Sequence, residues 1–235
     1  MRVQSTAVNS IKIGGVAGFL TVTWILVFAI IIPSAIAGNR VSGTTDASAV
    51  LAYYDHPALM WTFWASGIGV LFALVFIYGI YLALKSKAAS SGLTVILLAS
   101  IAMAVIEMPL LLAQWALQGT LVWVAGTHAV AADAVTRTTL ATLAVGIFRF
   151  WDLLYNSLLY WLEGGYLLLF SLVILKTRGL SRGIGGLGIV AAASQFFNSL
   201  AIPLGVPDTF TLPGNLLLVA WFLTASYSLF RLRMD

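Results

Sequence analysis

Six stretches of this chain are apolar over lengths that no ordinary soluble core calls for. They fall at about 13–37, 58–84, 93–117, 142–175, 184–204 and 212–231. At a rise of 1.5 Å per residue each is long enough, as a helix, to cross roughly 30 Å of hydrocarbon. Inside a bilayer every backbone N–H and C=O must be satisfied within the protein, which leaves only helices and closed barrels. The runs are continuous, without the apolar/polar alternation over about ten positions that marks a barrel strand. The prediction is an all-α, polytopic transmembrane helix bundle of about six spans, forming one domain over residues 1–235. Composition agrees: 61% of residues are hydrophobic, 9% are charged and the mean hydropathy is +1.01. A soluble domain carries about a quarter charged residues, and a chain this short leaves too much surface in water for such a composition. The fourth run is longer than a bilayer requires and is expected to project beyond it at its N-terminal end.

Basic residues set the expected sidedness, because cytoplasmic loops carry an excess of Lys and Arg. With six spans and a cytoplasmic N-terminus, Arg2, Lys12, Lys85, Lys87, Lys176, Arg178, Arg182, Arg231 and Arg233 share one side, nine of the twelve. Arg40 and Arg137 fall on the other side with Asp46, Asp55, Asp133 and Asp208, and Arg149 falls near the start of the fourth span. Both termini are therefore expected in the cytoplasm. The net charge of +4 reports topology rather than a nucleic-acid partner, since most basic residues sit at segment ends. The first run ends in Ser34-Ala35-Ile36-Ala37-Gly38, a small-x-small pattern, but it exceeds a usual signal-peptide core and is read as a retained span. The outer loops are read as about 38–57 and 118–141. The second mixes Ala and Val with Gln118, Thr120, Thr127, Asp133 and Thr136, so part of it is expected to lie flat as an interfacial helix. The inner turns, Lys85 to Gly92 and Lys176 to Gly183, are short.

Ionisable residues inside a span are costly and tend to face the bundle interior. Four qualify: Glu107, Arg149, Asp152 and Glu163. In the third span Ser100, Glu107 and Gln114 recur every seven residues, one stripe of a 3.6-residue helix. In the fourth, Arg149, Asp152, Asn156, Tyr160, Glu163 and Tyr166 follow steps of three or four, with Arg149 and Asp152 an i, i+3 pair. Glu163 lies roughly 21 Å beyond Arg149 by helix rise and needs a partner or a proton. The candidate site is a buried polar seam of Glu107, Gln114, Arg149, Asp152, Asn156 and Glu163. Two readings stay open. The acids act as hydrogen-bonding glue between helices, worth about 0.6 and up to about 2 kcal/mol, or they form a binding or proton-handling site. Ser194, Gln195, Asn198 and Asn215 either complete a polar cavity or pair across helices. Pro109 is expected to kink the third span beside its acid, and Gly164 and Gly165 permit close approach of another helix.

No other chemistry is indicated. Cysteine is absent, so there is no disulfide, thiolate metal site or cysteine nucleophile. His56 and His128 sit in no spaced ligand motif, and the sequence calls for no metal and no cofactor. Trp61, Trp64, Trp115, Trp123 and Trp151, with Tyr53 and Tyr54, read as an outer aromatic belt. Trp161 is expected to pack against a neighbouring helix.

The first span opens with Gly14-Gly15-Val16-Ala17-Gly18, an acid stands in the third at Glu107, and Arg149-Phe150-Trp151-Asp152 lies near the fourth. A basic, glycine-rich link, Leu180 to Gly188, enters the fifth span, and Leu212-Pro213-Gly214-Asn215 opens the last, which runs to Trp221 and beyond. In this layout the chain resembles a family of bacterial six-helix membrane proteins known only as a domain of unknown function. The resemblance implies a fold and an inner-membrane location, and no activity. Asn215 stands where that family is expected to carry an acid, and the basic residue expected before the acid of the third span is missing.

Three roles fit the residues. The first is binding or moving a proton, cation or small amphiphile at the seam. The second is an accessory or structural subunit of a larger membrane complex, whose partners are membrane lipids and a membrane protein or a second copy. The third, a lipid- or quinone-modifying enzyme using Glu107 or Glu163 as acid or base, lacks a nucleophile-base pair and a phosphate-cradling loop.

Overall fold

The computed structural model describes residues 2–38, 45–88, 90–201 and 212–232. The elements in chain order are α1 (Arg2–Ile25), a π-helical turn π1 (Leu26–Ile31), α2 (Ile32–Ala37), α3 (Ala47–Tyr54), α4 (Ala58–Lys85), α5 (Ser91–Val130), α6 (Ala134–Leu153), a second π-helical turn π2 (Leu154–Leu159), α7 (Tyr160–Thr177), α8 (Arg182–Ala201) and α9 (Leu212–Arg231). Six helical runs are long and apolar enough to cross a membrane: Val8–Ala37, Ala58–Lys85, Ser91–Val130, Ala134–Thr177, Arg182–Leu200 and Pro213–Arg231. The all-α bundle expected from the hydropathy is present. Arg40, Asp208 and Arg233, read as markers of sidedness, and the expected end of the fifth span at 202–204 lie outside the described residues.

The spans pack as a ring in chain order. α1 lies against α4, α4 against α5, α5 against α7, α7 against α8, α8 against α9, and α9 returns to α1. Consecutive spans run antiparallel, so Lys85, Lys176, Arg182 and Arg231 mark one end of the bundle, called here the basic end. The glycine run of α1 is what lets the ring close. A Cβ at Gly14 would stand 2.7 Å from the Gly79 Cα of α4, and one at Gly15 would stand 2.7 Å from the Ser226 carbonyl oxygen of α9. Two helices thus approach α1 backbone to backbone, the contact that small residues permit in lipid.

The third and fourth spans differ from expectation in length. α5 has 40 residues and the run Ala134–Thr177 has 44, about 60 and 66 Å of helix, roughly twice the hydrocarbon thickness. Residues 118–141 are therefore no loop and no flat interfacial helix. They are the tip of an upright α5–α6 hairpin, with Asp133 capping α6 by accepting from the Thr136 amide at 2.7 Å. Polar residues such as Gln118 and Thr127 made the segment read as a loop. Thr127 bonds back to the Trp123 carbonyl, and the buried face is carried by Leu121, Val122, Val124 and Ala125.

Two cores follow. The membrane core gathers Phe76, Ile80 and Leu84 of α4, Phe170 and Ile174 of α7 and Trp221 of α9, and Phe76 stacks on Phe222 at 4.8 Å. A second core, at the end opposite the basic one, joins Val50 and Tyr54 of α3 and Phe63 of α4 to Val124 of α5 and Phe148 and Trp151 of α6. The expected aromatic belt is accordingly split. Trp61, Trp64 and Trp123 are 79%, 65% and 59% exposed, whereas Trp151, Tyr53 and Tyr54 are buried in this second core. Trp161 packs on Phe196 of α8 with ring centroids 4.8 Å apart. α5 passes through Pro109 as one helix.

Candidate functional site

Polar side chains of four spans converge on one level of the bundle. By helix rise Glu107 stands about 24 Å from the start of α5 and Glu163 about 21 Å from the end of α7. Gln195 and Asn198 of α8 lie about 20 and 24 Å from its basic end, and Asn215 about 24 Å from the end of α9. In a bilayer whose inner boundary follows the basic residues, this layer sits past the midplane, toward the opposite end.

α5 and α7 are neighbours, and Glu107 and Glu163 lie close enough to interact electrostatically. Glu107 is buried, and its Oε2 has no hydrogen-bond partner. Glu163 is half-buried. Tyr166, one turn along α7, is buried and feels both carboxyl groups. Tyr160 shares side-chain hydrogen bonds with Tyr155 of π2 and with Asn215 of α9, and also senses Glu163. Beside this group, the Gln195 amide donates to the Gly214 carbonyl at 3.4 Å, and Asn198 donates to Gln195 at 3.5 Å. The glycines after Glu163 open the two packing faces as expected: Gly164 meets the ring of Phe196 and Gly165 meets Met103 of α5.

The seam read from the sequence is only partly assembled. Glu107, Gln114 and Glu163 face inward. Arg149 is exposed, and α6 buries Ala144, Phe148 and Trp151 instead. Asp152 is half-buried and engaged, and the Asn156 side chain lies outside the described set. Arg149 and Asp152 also stand too far along the helix to share the membrane layer with Glu163. The reason is π2. A π turn holds about one residue more than an α turn, so the stripe before it is rotated by about 100° relative to the stripe after it. Steps of three and four therefore hold on each side of 154–159 and fail across it. Sequence reading also missed Gln118, which is buried four residues after Gln114 on the same face. Tyr160 and Asn215 both read as polar residues within spans, but that they pair with each other has no signal in the sequence.

A separate groove of about 740 Å³ opens between α8 and α9 at the basic end, lined by Ile184, Leu223, Tyr227 and Arg231 among others. It is remote from the acids. Among the described residues no cluster of three or more His, Asp or Glu side chains is placed to hold a metal ion. Comparison with protein families, with curated proteins and with solved structures finds no match.

Proposed function

We propose that this protein is a multi-pass component of a bacterial inner membrane, with its basic end in the cytoplasm, that binds a proton or a small cation at the Glu107–Glu163 pair. The observation that carries the reading is the pairing itself. Two carboxyl groups from different spans interact at one depth, and Tyr160 and Tyr166 lie within electrostatic reach of them. The Lys and Arg residues of the neighbouring spans stand at the bundle ends, and Arg149 is exposed. Buried charge needs compensation, and here a proton or a cation supplies it. Hydrogen-bonding glue alone does not call for two acids within electrostatic reach of each other. The resemblance to a bacterial six-helix family of unknown function agrees with this layout and adds no activity.

The test is thermal stability of the purified protein from pH 5 to 9, in sodium, potassium and N-methylglucamine buffers, for the wild type and for Glu107→Gln and Glu163→Gln. The wild type is expected to show a dependence on pH or on the cation that each amide removes. Identical profiles for all three proteins would reduce the acids to helix glue.

A further inference from the structure

We infer that the acid pair is reached from the end opposite the basic one, along a polar file on α5 formed by Gln118 and Gln114. The inference rests on the reading of Glu107 and Glu163 as a binding pair, and it narrows the ligand to water-borne species, a proton or a small cation, rather than an amphiphile entering from the bilayer.

Gln118, Gln114 and Glu107 are 3%, 1% and 2% exposed. Their spacing of four and seven residues keeps them within about 40° of one another around the helix, over a rise of about 17 Å. None has its full set of bonds: Nε2 and Oε1 of Gln114, Nε2 of Gln118 and Oε2 of Glu107 are buried with no hydrogen-bond partner. An unmet buried polar group costs about 1–3 kcal/mol. Three such side chains in one line are a file that water or a hydrated cation satisfies, whereas an apolar ligand does not.

The file starts outside the hydrocarbon. Gln118 stands about 40 Å along α5 from Ser91, beyond a core of about 30 Å, at the level of the second hydrophobic core. Its facing wall contains the irregular turn of the fourth span. Gly165 of α7 meets Met103 of α5, and in an antiparallel pair Gln114, eleven residues further along α5, stands level with about residue 154, the start of π2. Such turns interrupt the regular ladder of backbone bonds and recur at functional sites.

Toward the basic end the file stops. The next polar residue on the stripe, Ser100, is satisfied by the Leu97 carbonyl at 2.7 Å. Beyond it lie Leu97, Phe76, Phe170 and Ile174, all buried. Ser171 Oγ and Trp221 Nε1 also have no partner there. Both are wedged against Gly188, where an added Cβ would come within 2.6 Å of the indole nitrogen, and Ser226 Oγ, also without a partner, is wedged against Gly18 beside Phe76, so these are separate packed contacts and no line. The groups within electrostatic reach of the pair are Tyr160 and Tyr166 of α7, and behind Tyr160 stand Tyr155 of π2 and Asn215 of α9. Asp152 stands half-buried near the mouth.

The chain has no cysteine, so single thiols can be introduced without background. Gln118→Cys, Gln114→Cys and the control Ser171→Cys are reconstituted as the full chain in sealed vesicles of known orientation. Silver ion is added on one side, and its reaction is read as protection from later alkylation in denaturant. From the outer side the two file positions are expected to react at least tenfold faster than Ser171→Cys, and from the basic side all three are expected to be slow. Equal reactivity from both sides, or a Gln114 thiol as inert as the control, overturns the inference. If Gln114→Cys does not fold, Gln118→Cys alone decides, and an inert thiol there overturns it as well. Reactive file positions with pH and cation profiles that are identical for the wild type and both amide variants would refute the binding pair while leaving the file intact.

Discussion

Replacing Gly14 by alanine adds one methyl group where α1 meets α4, and the geometry fixes what that methyl does. The new Cβ would stand 2.7 Å from the Gly79 Cα, against the 3.4 Å at which ordinary contact begins. Both facing atoms belong to backbone, so no side chain can rotate away and the helices must part by about 0.7 Å. A radial gap of that size forfeits about a quarter to a half of each dispersion contact along the interface, and overpacking of this kind costs about 1–3 kcal/mol. Alanine returns about 0.5–1 kcal/mol through its better helix propensity. The net expectation runs from no change to a loss of about 2.5 kcal/mol, which is about 1–3 kcal/mol below a glycine replaced without overpacking. Gly126→Ala, also within a helix but with nothing within 4 Å of its added Cβ, keeps only the gain, about 0.5–1 kcal/mol. Unfolding by increasing mole fraction of sodium dodecyl sulfate, followed by circular dichroism, compares the two. A Gly14→Ala protein as stable as Gly126→Ala would refute the backbone-to-backbone reading of the α1–α4 contact.

Two further substitutions probe the bonds around the acids and at the hairpin tip. Tyr160→Phe and Asn215→Leu, singly and together, should show a coupling of about 0.6 kcal/mol and no more than about 1.7 in the same unfolding assay, and additive effects would mean that the α7–α9 hydrogen bond contributes nothing. At the tip, the bonds that Asp133 accepts from Thr136 hold its carboxyl below the usual value of 3.8. A depressed folded value contributes stability that is full above the unfolded value and is lost as pH falls through the folded one. Amide exchange in the first turn of α6 should therefore accelerate as pH drops below about 4 relative to the intrinsic rate, and Asp133→Ala should be fast at every pH. Wild-type protection that persists in acid would exclude the cap.

Much of the fold is legible because lipid leaves the backbone few choices. Apolar runs of the right length at 58–84 and 93–117 had to be helices, and they are. What composition hides is where a helix stops once it leaves the hydrocarbon. Gln118, Thr120 and Thr127 look like loop residues, yet α5 continues through them by burying Leu121, Val122 and Val124 against α3 and α6. Glu107 and Glu163 are legible as a candidate site because ionisable residues in a span are costly wherever they occur. Placing Arg149 and Asp152 on the stripe of Glu163 extends one period through residues 154–159, and the sequence Leu-Tyr-Asn-Ser-Leu-Leu carries no mark of the π turn that breaks it. The Tyr160–Asn215 bond depends on which helices become neighbours, which no local pattern encodes.

The closed order of the ring has a consequence for how the molecule is made. Five of the six seams join spans that are consecutive in the chain, so each can form as soon as its second member enters the bilayer. The sixth, where Gly15 and Gly18 of α1 receive Ser226 and Phe230 of α9, joins the two spans of the ring that lie farthest apart in the chain. Until α9 enters the bilayer the other five spans are an open arc with one glycine face of α1 uncovered, and the ring is closed by the twenty residues of α9.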